Sequence, residues 1–216
     1  HLPDHVPASV DPIPAPEDAK LADALAAIAG AEKPVIYGGG GIGIADEAEA
    51  FRQFVDATKI PTVLTLRALG ALPANHPHYL GMLGMHGTRA ANMAVQECDL
   101  LIVIGARFDD RATGKLAEFA PFARVLHVDA DAYEISKLRT ADIAVPGDIG
   151  TSLRALGAAR STCEEWRKRC AANRERFGFR YDAPGTDIYA PGLLKRLSEV
   201  APADAIVVCD VGQHQM

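Results

Sequence analysis

The sequence has little from which to build a disulfide framework, a membrane span or a nucleic-acid surface. Its 216 residues hold four cysteines, Cys98, Cys163, Cys170 and Cys209, too few and too scattered for a disulfide scaffold or a zinc site. Cys98 and Cys209 adjoin apolar runs, where a buried thiol is the ordinary outcome, so a reducing compartment and a cytoplasmic location are expected. No apolar run approaches the roughly 20 residues that cross a bilayer, and we expect neither a signal peptide nor a membrane partner. The net charge of −6 comes without a basic stripe, which argues against nucleic acid as a partner. Neither a Ser-His-Asp or Cys-His set nor a metal-ligand cluster stands out, and no residue presents itself as a general base.

What is present is an alternation of short apolar runs with amphipathic ones. The spacing of Leu21, Leu25 and Ile28 predicts a helix over 18–32. Val35-Ile36-Tyr37 reads as a strand entering Gly38-Gly39-Gly40-Gly41, and 46–58 as a helix with Phe51 and Val55 inward. A strand is expected at 62–66, then a long loop rich in glycine, histidine and proline, then a helix over 89–98. Leu100 to Gly105 is apolar on both faces, as a central parallel strand should be. Further strands are expected at 125–129 and 143–148, and one long helical stretch from 149 to about 177. This order implies a Rossmann-like α/β fold, a parallel sheet with helices on both faces. Prolines at 3, 7, 12, 14 and 16 suggest a stiff linker over 1–16, and Pro184, Gly185, Pro191 and Gly192 a second over 181–192. The domain proper then spans 17–180. Residues 193–216, with a helix over 193–200 and a strand over 205–209, read as the start of a second α/β domain. Both ends are expected to continue into further chain.

Strands that end in glycine or acid at Gly38, Gly105, Asp129 and Asp148 mark the edge where open α/β sheets bind ligands. The glycines at 38, 40 and 43 match a dinucleotide pattern, with free N–H groups for phosphate as one reading and a tight strand-to-helix turn as the other. The acid such a motif needs after the next strand is missing, since Thr65, Leu66 and Arg67 stand there. Met85 and His86 suit a flat ring system, with Thr88 as a helix cap, although a single loop histidine more often caps or packs its own loop. Arg107, Asp109, Asp110 and Arg111 follow the most apolar strand, where the arginines can fork onto phosphate or pair with the aspartates. Asp129 and Asp148 can accept ribose or ribityl hydroxyls or cap helices. His127, in mid-strand, is expected to be a satisfied core histidine.

Leu80-Gly81-Met82-Leu83-Gly84-Met85-His86-Gly87-Thr88, then Ala91-Asn92, then Gly105-Ala106-Arg107-Phe108-Asp109-Asp110-Arg111, closely resemble the catalytic subunits of acetolactate synthase (acetohydroxyacid synthase). Asp210 to Met216 is similar to the segment that opens the family's thiamine-diphosphate-binding domain. The resemblance covers about 34–148 and 189–216. It implies a central domain that binds FAD in a structural role, through Gly39, Gly40, Gly41, Thr65, Leu66, Leu83, Gly84, Met85, His86, Gly105, Ala106, Arg107, Phe108, Asp109, Arg111, Asp129, Ala130, Asp148 and Ile149. It places Gly212, Gln213 and His214 near thiamine diphosphate, and Met85, Asp110 and Arg111 along a channel to the active site. The implied reaction condenses two pyruvates, or pyruvate with 2-ketobutyrate, to acetolactate or acetohydroxybutyrate with loss of CO2. The implied assembly is a homo-oligomer with room for a small regulatory subunit. The activating glutamate and the Mg2+ motif of the family lie outside this sequence, so no catalytic residue is assigned and the chain alone is expected to be inactive. The glycine loop is longer than the family pattern around Gly43 and Ile44, and Arg67 stands where methionine or lysine is common. A sister thiamine-diphosphate carboligase or decarboxylase, or a stand-alone nucleotide-binding module, are the alternative readings.

Overall fold

Fully apolar five-residue strands can lie only where both faces of a sheet are covered. Two such runs, β1 (Pro34–Gly38) and β4 (Leu100–Ile104), are buried at every position and pair in parallel at the centre of the sheet. In the computed structural model, which describes residues 12–182, 188–202 and 204–208, the chain runs as follows. Helix α1 (Asp18–Gly30) leads to β1, a single turn α2 (Gly41–Ile44), α3 (Ala48–Thr58), β2 (Thr62–Leu64), β3 (Tyr79–Met82) and α4 (Arg89–Glu97). After β4 come a single turn α5 (Asp110–Thr113), β5 (Arg124–Asp129), β6 (Ile143–Pro146), α6 (Ile149–Leu156), α7 (Glu164–Arg176) and α8 (Ala190–Val200). The strands form one all-parallel sheet in the order β3-β2-β1-β4-β5-β6.

This order fixes the layers. From β1 the chain moves outward to β2 and β3, then crosses back to β4 and moves outward the other way. Right-handed crossovers therefore place α3 and α4 on opposite faces. The packing agrees: α1 and α3 lie against α6, whereas α4 lies against α7 and β3. Between the layers sits a mostly aliphatic core, with Ile36, Leu64, Leu101, Ile102, Ile104 and Leu126 among the fully buried side chains.

The doubly wound sheet expected from the alternation is present, with four local departures. The long loop before α4 contains a strand, β3. Gly81 interrupts its apolar pattern at φ +113, and a Cβ there would lie 2.4 Å from Thr88 Cγ2. The stretch from 149 to 177 is two helices, because the chain must pass from one layer to the other. α6 stops at Leu156, and α7 resumes where Trp166 Nε1 donates to the Pro34 carbonyl at 3.0 Å, at the opposite end of the sheet from Asp148. The strands expected at 62–66 and 143–148 end early, at Leu64 and Pro146, because Leu66–Ala68 forms a 3-10 turn and Gly147 takes φ +137. Residues 205–208 form no strand, and Cys209 lies outside the described residues. Cys98, Cys163 and Cys170 are all buried.

A close backbone-to-backbone contact joins the carboxyl ends of β1 and β4. Gly39 N–H donates to the Ile104 carbonyl and Gly41 N–H to the Gly105 carbonyl, both at 2.9 Å. A Cβ at Gly39 would lie 2.2 Å from the Gly105 oxygen, whereas one at Gly43 would meet nothing within 4 Å. Gly39→Ala must therefore push two central strands apart and is expected to cost about 3 kcal/mol or more. Gly43→Ala, in the exposed turn of α2, is expected to be neutral or to stabilise by up to about 1 kcal/mol. Urea unfolding of the two variants checks this; equal midpoints would contradict it.

Candidate functional site

Because all six strands point the same way, the residues after them form one row along the sheet's carboxyl edge. At roughly 4.8 Å per strand the row is about 24 Å long. It reads Leu83-Gly84-Met85 after β3, Thr65-Leu66 after β2, Gly39-Gly40-Gly41 after β1, Gly105 to Asp109 after β4, Asp129-Ala130 at β5 and Asp148-Ile149 after β6. The order reverses between β1 and β4, the place where doubly wound sheets open a crevice. Every expected FAD contact lies on this row or on the turns that flank it. Gly212, Gln213 and His214 lie outside the described residues.

The glycine loop meets the row through its Cα faces. The amides of Gly39 and Gly41 are consumed by the end of β4, so of the two readings of this loop those two positions follow the tight turn rather than the free phosphate donor. Beside it, the Thr65 hydroxyl is buried without a partner at the tip of β2, a donor aimed at nothing in the protein. Leu66 stands exposed next to it.

The Met85 loop is laid down on α5. Gly84 takes φ +99, and a Cβ there would lie 2.5 Å from the Arg111 carbonyl. Met85 N–H donates to that same carbonyl at 3.1 Å. Asn92 holds the loop from behind, accepting from Gly84 N–H and donating to the Gly84 carbonyl, both at 2.9 Å. Thr88 caps α4 as expected, accepting from Ala91 N–H. Met85 is thus brought beside Asp110 and Arg111, from which α4 and β4 separate it in sequence, and all three are exposed, Met85 by 77%.

After β4 the chain alternates between core and edge. Arg107 and Asp109 are exposed and pair with each other at 3.3 Å. Ala106 and Phe108 are buried. Phe108 packs edge-on against Tyr37, Phe119 and His127, so its ring belongs to the core and only its backbone reaches the row. The Tyr37 hydroxyl donates to the Arg107 carbonyl at 3.1 Å. Burial, with Asp109 nearby, pushes the Tyr37 phenol well above its ordinary pKa, so it stays a donor. Leu83 and Ile149 are likewise buried side chains.

The two acids differ in kind. Asp148 is the N-cap of α6, accepting from Thr151 N–H at 2.7 Å, and the Thr151 hydrogen bonds hold its carboxyl below the usual range. Asp129 is half-buried; its Oδ1 accepts from Asp131 N–H at 2.9 Å, while burial pushes its carboxyl up. His127, expected to be satisfied, is not: it is fully buried and neither ring nitrogen has a hydrogen-bond partner. Burial lowers its pKa to about 4, with the Ala106 backbone and Glu134 pulling weakly the other way. Tyr37 and Asn92 are the two supporting residues that motif reading passes over. Their signals are an aromatic hydroxyl in an aliphatic strand and an amide one turn after a threonine cap.

Similarity to known proteins can be set beside this geometry. The family model described as thiamine pyrophosphate enzyme, central domain, matches residues 21–156. The acetolactate synthase isozyme 2 large subunit of Escherichia coli K12 is 54% identical over 198 residues, covering 92% of this chain and 36% of the relative. The acetolactate synthase large subunits of Lactococcus lactis and Parasynechococcus marenigrum are 41% and 44% identical, over 92% and 93% of this chain and 35% and 33% of theirs. The chain thus spans about a third of the length of the curated relatives it matches.

His127 makes stability depend on pH. Between pH 6.5 and about 4 the unfolded chain binds a proton at this residue that the folded chain refuses, so stability falls as pH falls. The loss across that window is up to about 3 kcal/mol. His127→Leu removes it, so the urea midpoints of wild type and variant should diverge steadily on acidification, with the variant ahead. Parallel acid curves would contradict the assignment.

Proposed function

The chain belongs to the thiamine pyrophosphate enzyme family through its central domain, and on that footing we propose that it is the FAD-binding middle portion of an acetolactate synthase large subunit. The observation that carries the reading is the single row of strand ends, long enough for an extended dinucleotide and lined at each position by a group that suits one. The unpartnered Thr65 hydroxyl offers a hydrogen bond where the protein provides none. The lack of side chains at Gly39, Gly41 and Gly105 lets the ends of β1 and β4 meet backbone to backbone, which brings their two loops together on the row. Arg107 and Arg111 present guanidinium groups that fork onto phosphate oxygens, and Asp129 presents a carboxylate for sugar hydroxyls. Leu66 and Met85, exposed apolar side chains toward the β3 end, suit a flat ring. Because β2 ends in Thr65 rather than an acid, a nicotinamide dinucleotide lacks its usual ribose partner there.

In the proposed enzyme, thiamine diphosphate supplies the electron sink for loss of CO2 from pyruvate, and FAD undergoes no net redox change. The work of this chain's residues is positional. Tyr37 and Asn92 fix the Arg107 and Met85 loops by their backbones, and the Met85–Arg111 hydrogen bond holds Met85, Asp110 and Arg111 as one wall of the substrate channel. We take 17–180 as the central domain, 1–16 and 181–192 as linkers, and 193 onward as the start of the thiamine-diphosphate-binding domain. The apolar side chains of α8, Leu193, Leu194, Leu197 and Val200, are all exposed, which supports a further domain covering them. Gly212, Gln213 and His214 would then approach thiamine diphosphate. Pyruvate and 2-ketobutyrate are the proposed substrates, in a homo-oligomer that a small subunit can regulate. Among the described residues no helix is long and apolar enough to cross a membrane, and we place the enzyme in the cytoplasm.

The test is acetolactate formation from pyruvate by the complete protein that carries this chain, with thiamine diphosphate and Mg2+, in the presence and absence of FAD. Product that requires FAD is expected, and none from the present chain alone. Product without FAD would remove the flavin from the proposal. Turnover of glyoxylate or another keto acid in place of pyruvate would move the protein to a sister carboligase.

A further inference from the structure

An ionisable side chain that is fully buried and hydrogen-bonded to nothing is an unfavourable thing to keep in a core. His127 is such a side chain, and its place in the fold is specific. Side chains two apart in a strand share a face, so His127 lies directly below Asp129, the carboxylate that closes β5 on the candidate site. Its Nε2 stands 3.9 Å from Asp129 Oδ2, just outside hydrogen-bonding range. The Phe108 ring meets the imidazole edge-on, at 5.7 Å and 88°, and holds its plane in that direction.

We propose that His127 is a positioning residue for Asp129, its Nε2–H turning the carboxylate toward a vicinal diol of the bound dinucleotide. The proposal rests on the FAD reading above. A carboxylate has about four acceptor positions, two on each oxygen. Asp131 N–H takes one on Oδ1. A proton from His127 takes one on Oδ2, which leaves one position on each oxygen for the two hydroxyls of a diol. Asp129 needs such donors: its side chain is only 14% exposed, and the Asp131 and Glu134 carboxylates crowd it from the following loop. At neutral pH the ring is uncharged, so one nitrogen donates and the other does not; we take Nε2, the nitrogen that stands 3.9 Å from Asp129 Oδ2, as the donor. The shortfall between 3.9 Å and a hydrogen bond is a small rotation of the Asp129 side chain, which a diol arriving on the other side would enforce.

A histidine that merely fills space predicts something different. Replacing it by leucine would then remove an unsatisfied polar group and leave cofactor affinity alone. The experiment therefore reads stability and affinity separately, on the complete protein stripped of flavin and titrated with FAD by flavin fluorescence. His127→Leu is expected to melt no lower than wild type at neutral pH and to bind FAD about tenfold or more weakly. His127→Gln, whose side-chain amide donates from near the Nε2 position, is expected to recover most of that loss. Wild-type affinity in His127→Leu would overturn the proposal, and so would a glutamine variant as weak as the leucine one. Failure of the wild-type protein to bind FAD at all would instead overturn the flavin reading beneath it.

Discussion

The contact on which the rest of the structure depends is the backbone-to-backbone junction of β1 and β4. The two strands are adjacent in space but separated in sequence by the whole of α2 through α4, and they diverge at their carboxyl ends into opposite halves of the fold. Gly39 and Gly41 donate across the gap to Ile104 and Gly105, and Gly105 takes φ +55 in making room. A side chain at Gly39 or Gly41 would strike that backbone, and one at Gly105 would strike Gly41 and the tip of Ile149. This closeness sets the direction in which both strand-end loops leave the sheet.

Away from that junction, side chains tie down loops by their carbonyl groups, which otherwise would need water. Arg174 donates to the carbonyls of Ala74, His76 and Pro77, fixing the approach to β3. Arg139 donates to Phe119, Ala120 and Ala123, fixing the approach to β5. Asn92 and Tyr37 do the same on the ligand edge for Gly84 and Arg107. Arg154 meets Glu47 and joins α6 to the start of α3, with Gly150 leaving space for the carboxylate. Each tie is polar and specific in direction, so it sets the position of the loops more than it adds to the hydrophobic stability of the core. A site made of strand-end loops needs that, because a shift of a loop moves its contacts with a ligand.

Much of this was legible in the sequence, for physical reasons. The wholly apolar runs at 34–38 and 100–104 could only be central strands of a covered sheet, and they are. Glycine or acid at the strand ends marked the carboxyl edge of the sheet, and Thr88 marked the start of α4. What was hidden depended on partners distant in sequence. β3 is short and contains a glycine at positive φ, so its strand character exists only against β2. The division between α6 and α7 follows from which layer each must reach; Gly157 at the end of α6 and Ser161-Thr162 ahead of Glu164 are its local signals, which a reading of one long helix passes over. Gly39 and Gly41 lie outside the dinucleotide pattern at 38, 40 and 43, and the reason for glycine there, that these amides face β4, appears only in the fold. His127 looked like an ordinary core histidine because nothing in a linear sequence shows that its neighbours in space, Phe108 and Asp129, leave both ring nitrogens unpaired.

The central claim is that one ligand lies along the carboxyl edge, from the β3 end to the β6 end, across the junction of β1 and β4. Amide hydrogen exchange of the complete protein with and without FAD addresses it most directly. Added protection is predicted around Thr65, Gly39 to Gly41, Gly105 to Asp109 and Asp129 to Ala130. The opposite edge, around Lys33, Asp99 and His78, should be unchanged. Protection confined to that opposite edge or to the outer faces of the helices, or no change along the row when FAD is bound, would contradict the account.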